Sequence, residues 1–284
     1  MTLSPGADAR GALNVLFDRK TTITNHHGDL GNYLAWALET ARLLRNRISS
    51  ADIDRLIFTP MFWRLRNAFS SGRDKFDNEL LGIEITDRAE VLDRAWTALN
   101  NEINRWNDST VLAMVDTTVF INHDEKIKDI PYAKELNLGF EPVRLVVPRV
   151  VVDELDRLKE SGNQQVRWRA GHTLGVLDEL LRQPRSRVTI READENFTAI
   201  ANAGGMPRDK VTIEVLFDDP HHVRVEDNDD EIINRALALQ AYACRPVRLL
   251  TMDTSMALRA RMLDLNVCKI SKNIGAEPQR RTQA

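Results

Sequence analysis

The sequence has little cysteine, no long apolar stretch and no excess of positive charge. Two cysteines in 284 residues, Cys244 and Cys268, cannot make a disulfide framework, and no Cys-x-x-Cys or Cys/His spacing marks a zinc site. Nowhere do about 18 apolar residues stand together, and the first residues lack a basic patch followed by an apolar run. A cytoplasmic chain that neither enters nor crosses a membrane is therefore expected. A Gly-x-Gly-x-x-Gly phosphate loop is also missing, because the nearest glycine pair, Gly171 and Gly175, falls inside a helical pattern. The 39 basic and 42 acidic side chains leave a formal charge of -3, which excludes a non-specific polycation.

What the chain does have is enough apolar sequence, 43% of residues, to bury a sizeable core. Residues 1–107 are rich in Leu, Ala, Arg and Trp and read as an all-α domain. The clearest helix there spans Asp29 to Ile48, with Leu30, Leu34, Ala37, Leu38, Ala41 and Leu44 at three- and four-residue spacings. A second runs from Ala51 towards Phe69, broken or bent near Pro60, and a third from Asp87 to Trp106. Trp36, Trp63, Trp96 and Trp106 sit in these patterns as packing anchors.

After Asn107 the pattern changes to short β-branched runs, VLAMVD, VRLVVP, VTI, VTIEVLF and VRLLTMD, separated by segments of helical period. Strands alternating with helices imply an α/β domain over 108–271, with a parallel sheet covered on both faces. Residues 272–284 read as a flexible polar tail, and ANAGGMPRDK, residues 201–210, as a flexible loop. Charge is segregated here: 8 bases and 3 acids from Arg157 to Arg191, then 12 acids and 3 bases from Glu192 to Glu231.

Four of the acids stand at one sheet edge. Asp116 and Asp253 directly follow apolar strands, Glu154 lies one turn into the helix after LVVP, and Asp229 opens the helix DDEIINRALAL. The carboxyl ends of strands in open α/β sheets are where ligands bind. Each Asp could instead cap a helix, but carboxylates converging without matching bases repel one another unless protons or a divalent cation intervene. Oxygen ligands select hard ions, Mg²⁺ or Mn²⁺, and such a site suits phosphodiester hydrolysis. A dehalogenase-type phosphatase would need a second Asp where Thr118 stands. The adjacent pairs His26-His27 and His221-His222 make poor chelates and read as loop residues, whereas Trp168 between Arg167 and Arg169 could stack a base while the arginines hold phosphate.

The pieces VDTTVF with Asp116, VVPRVVVDELDRLK with Glu154, NDDEIINRALAL with Asp229 and LLTMDTSMALRARMLDL with Asp253 resemble, in order and setting, the PIN-domain metal-dependent nucleases. The wording is most similar to the long PIN domains fused to PhoH-like ATPases and those of nonsense-mediated decay endonucleases. The resemblance covers roughly Val111 to Ile270 and implies a PIN-like parallel sheet flanked by helices and an acidic Mg²⁺ or Mn²⁺ cleft. It also implies cleavage of single-stranded RNA as the substrate and, since PIN domains often dimerise, a homodimer. By the same resemblance Asp116, Glu154, Asp229 and Asp253 are the metal site and catalytic set, Thr117 is the hydroxyl after the first Asp, and Asp230 is a supporting acid. A non-catalytic RNA- or protein-binding module, and the toxin of a toxin-antitoxin pair, are the alternatives to an endoribonuclease.

Overall fold

The computed structural model of the protein describes residues 1–4, 6–26, 29–71, 75–182, 187–205, 207–218 and 222–271. The expected tail, 272–284, lies outside the described residues, as do His27 and His221. The chain forms two compact units, Met1–Asp108 with Leu237–Arg245, and Ser109–Ala236 with the residues from Pro246 onward. No helix of the described residues is long and apolar enough to cross a membrane.

The first unit contains α1 (Ala9–Thr22), α2 (Leu30–Leu44), α3 (Ser50–Leu56), α4 (Pro60–Ser71) and α5 (Lys75–Arg105). The Asp29 carboxylate accepts the Asn32 N–H and starts α2, whose buried face is Leu30, Tyr33, Ala37, Ala41 and Leu44. Pro60 opens α4 instead of bending one long helix. Its fixed φ suits a first turn, and its missing N–H would have no partner there anyway. Helix α5 begins well before the expected Asp87. Gly82 inside it costs about 1 kcal/mol relative to alanine, which burial of Leu81, Ile85 and Leu92 offsets. Helix α1 was not expected, because two of its three buried positions are the small Ala9 and Ala12. Trp36 and Trp106 are buried, whereas Trp63 is half exposed because the preceding Phe62 takes the inward position. The buried Glu84 carboxylate accepts the Tyr33 hydroxyl at 3.0 Å and the Thr59 hydroxyl at 2.9 Å, with Arg88 3.3 Å away. A charge removed from water is held by such saturation.

The second unit runs β1 (Val111–Val115), α6 (Thr117–Asn122), α7 (Tyr132–Glu135), β2 (Val143–Pro148), α8 (Arg149–Leu158), α9 (Gln164–Leu180), β3 (Val188–Arg191), α10 (Phe197–Asn202) and β4 (Val211–Leu216). It continues with α11 (Asn228–Ala243), β5 (Arg248–Thr251), α12 (Thr254–Met262) and β6 (Asn266–Lys269). The six strands form one sheet in the order β3-β4-β2-β1-β5-β6. The pairs are parallel except β3 with β4, which is antiparallel. An antiparallel edge strand needs no crossover back over the sheet, and α10 supplies a short connection. Strand β2 is buried at every position and β1 at four of five, so both faces of the centre are covered and the continuous apolar runs are explained. The edge strand β6, sequence NVCK, is too short and too polar to stand out in the sequence. The expected loop at 201–210 begins in the last turn of α10, and Arg208 closes it onto Asp194 at 3.2 Å.

Candidate metal centre

The chain leaves β1 for β2 on one side and returns after β4 to β5 on the other. The ends of β1 and β5 therefore flank the switch point where open α/β sheets bind ligands. Asp116 sits there, its N–H donating to the Leu250 carbonyl at 3.0 Å. Only 2% of it is exposed. Its Oδ2 accepts the Thr118 hydroxyl and, at 2.7 Å, the Thr251 hydroxyl. Thr118 Oγ1 in turn accepts the Met252 N–H at 3.1 Å, and Thr251 Oγ1 the Asp253 N–H at 2.9 Å. One carboxylate thus joins two strand ends through hydroxyls. Asp253 is the cap of α12, with Oδ1 accepting the Met256 N–H at 2.7 Å.

Glu154 on α8 is gripped from two directions. The Thr117 hydroxyl, at the start of α6, donates to its Oε2, and Asn228 Nδ2, at the start of α11, donates to Oε1 at 2.8 Å. Asp229 is the second residue of α11, and the cap is Asp227, whose Oδ1 accepts the Asp230 N–H at 3.0 Å. The Asp229 carboxylate is therefore not spent on the helix end. Its Oδ2 takes Arg259 Nη2 at 2.6 Å, while Arg259 Nη1 reaches Asp230 at 2.5 Å and Asp227 at 3.3 Å.

The electrostatics tie the four acids together. Burial pushes the Asp229 carboxyl up to about 6, the charge of Asp116 adds to this, Arg259 opposes it, and Asp227 and Asp253 add further. Burial likewise holds the Asp116 carboxyl above its ordinary range, against the hydroxyls of Thr118 and Thr251, with the charge of Glu154 contributing. A single guanidinium does not neutralise this gathering. An all-oxygen donor set with surplus negative charge fits a hard divalent cation.

The sequence had singled out Asp116, Glu154, Asp229, Asp253, Thr117 and Asp230; Thr117 donates to Glu154 and Arg259 joins Asp229 to Asp230, while among the described residues no three of these acids bring their ligand atoms within 4.8 Å of one another. Thr118, Thr251, Asn228 and Arg259 had not been singled out. Asn228 adjoins an expected acid and Thr251 precedes another by two residues, so proximity was their only signal; Arg259 had none. A separate group, Asp218, His222 and Glu231, brings its ligand atoms within 4.8 Å of one another. There His222 Nε2 meets Glu231 Oε1 at 2.6 Å and the Val225 N–H donates to Oε2 at 2.9 Å. Asp218 faces Arg235 at 3.8 Å and Arg149 at 4.0 Å. The His222–Glu231 contact joins His222 to the first turn of α11.

The expectation that Arg169 holds phosphate is corrected. It is 7% exposed and donates to the carbonyls of His123, of Asp124 at 2.7 Å and of Glu125 at 2.8 Å. Successive helical residues turn by about 100°, so Arg169 faces inward where Trp168 faces out. Arg167 stays exposed, with Nη1 donating to the Ser161 carbonyl at 2.9 Å.

Together the mostly parallel sheet, the covering helices and the acid cluster at the switch point define a nuclease-like α/β domain. The model of the PIN domain family matches residues 113–271, and the chain belongs to that family. PIN domains are in general nucleases, and so hydrolases, and typically use Mg²⁺ or Mn²⁺. No curated protein matches the chain. Among solved structures, a domain of a functionally unknown protein from Methanocaldococcus jannaschii DSM 2661 is similar at 15% identity and a TM-score of 0.35, covering 61% of this chain and 100% of that one.

Proposed function

We propose that the protein is a divalent-cation-dependent endoribonuclease that hydrolyses phosphodiester bonds of single-stranded RNA. The observation carrying this reading is the placement of Asp116 and Asp253 just after the neighbouring strands β1 and β5, beside an Asp229 whose carboxyl is raised by burial and then by the charge of Asp116. Asp116 and Asp229 would hold Mg²⁺ or Mn²⁺ directly, and Glu154 and Asp253 directly or through water. Held there, such an ion would supply a water of lowered pKa and would offset the charge of the phosphate. Thr118 and Thr251 favour the charged form of the Asp116 carboxylate and aim it, and Thr117 with Asn228 fixes Glu154 between two helix starts. Arg259 offsets part of the charge of Asp227, Asp229 and Asp230. In-line attack of water on phosphorus would leave a 5'-phosphate and a 3'-hydroxyl.

The test is cleavage of a single-stranded RNA by the full chain with Mn²⁺ or Mg²⁺, with and without chelator. Asp116→Asn should abolish cleavage. Undiminished activity in that variant, or in chelator, would end the proposal.

A further inference from the structure

Away from the acids, one face of α9 carries an aromatic pair. Trp168 and His172, four residues apart, stack with ring centroids 5.1 Å apart and planes inclined by 4°. Trp168 is 52% exposed, so it is not the packing residue that tryptophan in a helical pattern usually is. Its flank opens on a hollow lined by Gln164, Gln165 and Arg167. Lys126 Nζ stands 5.5 Å from the Trp168 ring centroid, and among the described residues Lys126 has no ion-pair partner.

This arrangement is built. The inward Arg169 binds the three carbonyls of residues 123–125 and so holds the segment carrying Lys126 against α9. A tryptophan left in water beside ammonium and guanidinium groups matches the chemistry of single-stranded nucleic acid, which offers a π face and a phosphate at every step. The two glutamine amides offer both donors and acceptors to a base edge.

We infer that Trp168, backed by His172, is a stacking platform for one unpaired base of a single-stranded RNA, with Lys126 and Arg167 holding the flanking phosphates. The inference rests on the proposed RNA substrate and adds to it a binding subsite. The imidazole suits the role: burial, then the charges of Lys126, Arg169 and Lys128, hold the His172 pKa below its ordinary value, and a neutral ring stacks without adding desolvation cost. Arg169 becomes the strut of the platform and makes no contact with the strand.

The experiment measures fluorescence anisotropy of a labelled single-stranded oligoribonucleotide bound to the full chain in chelator, where cleavage is not required. Trp168→Ala should weaken binding about tenfold, Trp168→Phe should keep most of the affinity, and the thermal midpoint should hold, since the ring is exposed. A strand with abasic substitutions should lose affinity for the parent by a similar factor and bind Trp168→Ala no more weakly than the intact strand does. Unchanged RNA affinity in Trp168→Ala, an equal loss for intact and abasic strands, or a lowered thermal midpoint would overturn the inference. Cleavage by the parent combined with unchanged affinity in Trp168→Ala sinks the platform alone. Platform binding without metal-dependent cleavage sinks the nuclease reading alone.

Discussion

Removing a charge from the acid cluster should stabilise the protein when no metal is present. The Asp229 carboxyl is moved from its ordinary 3.8 to about 6, mainly by burial and by Asp116. At about 1.36 kcal/mol per pH unit this amounts to about 3 kcal/mol against the folded state once the group is ionised. The side chain is 36% exposed, so solvent screening reduces the figure to about 1 kcal/mol. Because the folded pKa lies above the unfolded one, the folded state binds more protons between them. Stability is therefore lost as pH rises through the window from 3.8 to about 6. Asp229→Asn keeps an oxygen for Arg259 and deletes the charge. In chelator at neutral pH it should melt about 2 °C higher than the parent, a difference that vanishes near pH 4. With excess Mn²⁺ the order should reverse, because binding to the folded state stabilises the parent by mass action and the variant has lost a ligand. Differential scanning calorimetry across pH, with chelator and with Mn²⁺, measures both signs. A variant less stable than the parent in chelator at neutral pH, or more stable in Mn²⁺, would refute the reasoning.

Arg259→Ala removes the guanidinium that competes for Asp229, so titration calorimetry should find Mn²⁺ bound about threefold to tenfold more tightly; weaker binding would mean that Arg259 only shapes the site. Thr251→Val deletes a hydroxyl donated to the buried Asp116, which costs about 1–3 kcal/mol in denaturant unfolding. Since that hydroxyl also lowers the Asp116 pKa, the pH at which metal binding is half lost should move upward, and an unshifted profile would contradict the assigned hydrogen bond.

The α/β architecture was legible because buried parallel strands write themselves as continuous apolar runs, and VLAMV and VRLVVP are β1 and β2. What followed those runs was legible for the same reason: a carboxylate immediately after a buried strand stands at a sheet edge whatever the loops do. Legibility failed where local signal was weak. The small residues of α1 leave little hydrophobic contrast, the four residues of β6 at the sheet edge form no run, and the orientation of β3 depends on the strand beside it. Trp63 and Arg169 show a finer limit: in a helix one residue's displacement decides inside from outside, and a pattern with adjacent large side chains does not say which of them wins.

By itself the sequence determined the class of the second unit and the places of Asp116 and Asp253 after β1 and β5, because strand periodicity and the position of a charge relative to a strand end are local properties. Only the tertiary structure decided what those acids experience. Strand order brings Asp116 against Leu250 and Thr251, more than a hundred residues away, and α12 lays Arg259 across the start of α11. A pKa depends on burial and on charges a few ångströms off, and those neighbours are chosen by topology. The same holds for Trp168, whose flanking arginines in sequence are separated by the helix, one outward and one inward, while its neighbours in space, His172 and Lys126, come from the next turn and from another segment.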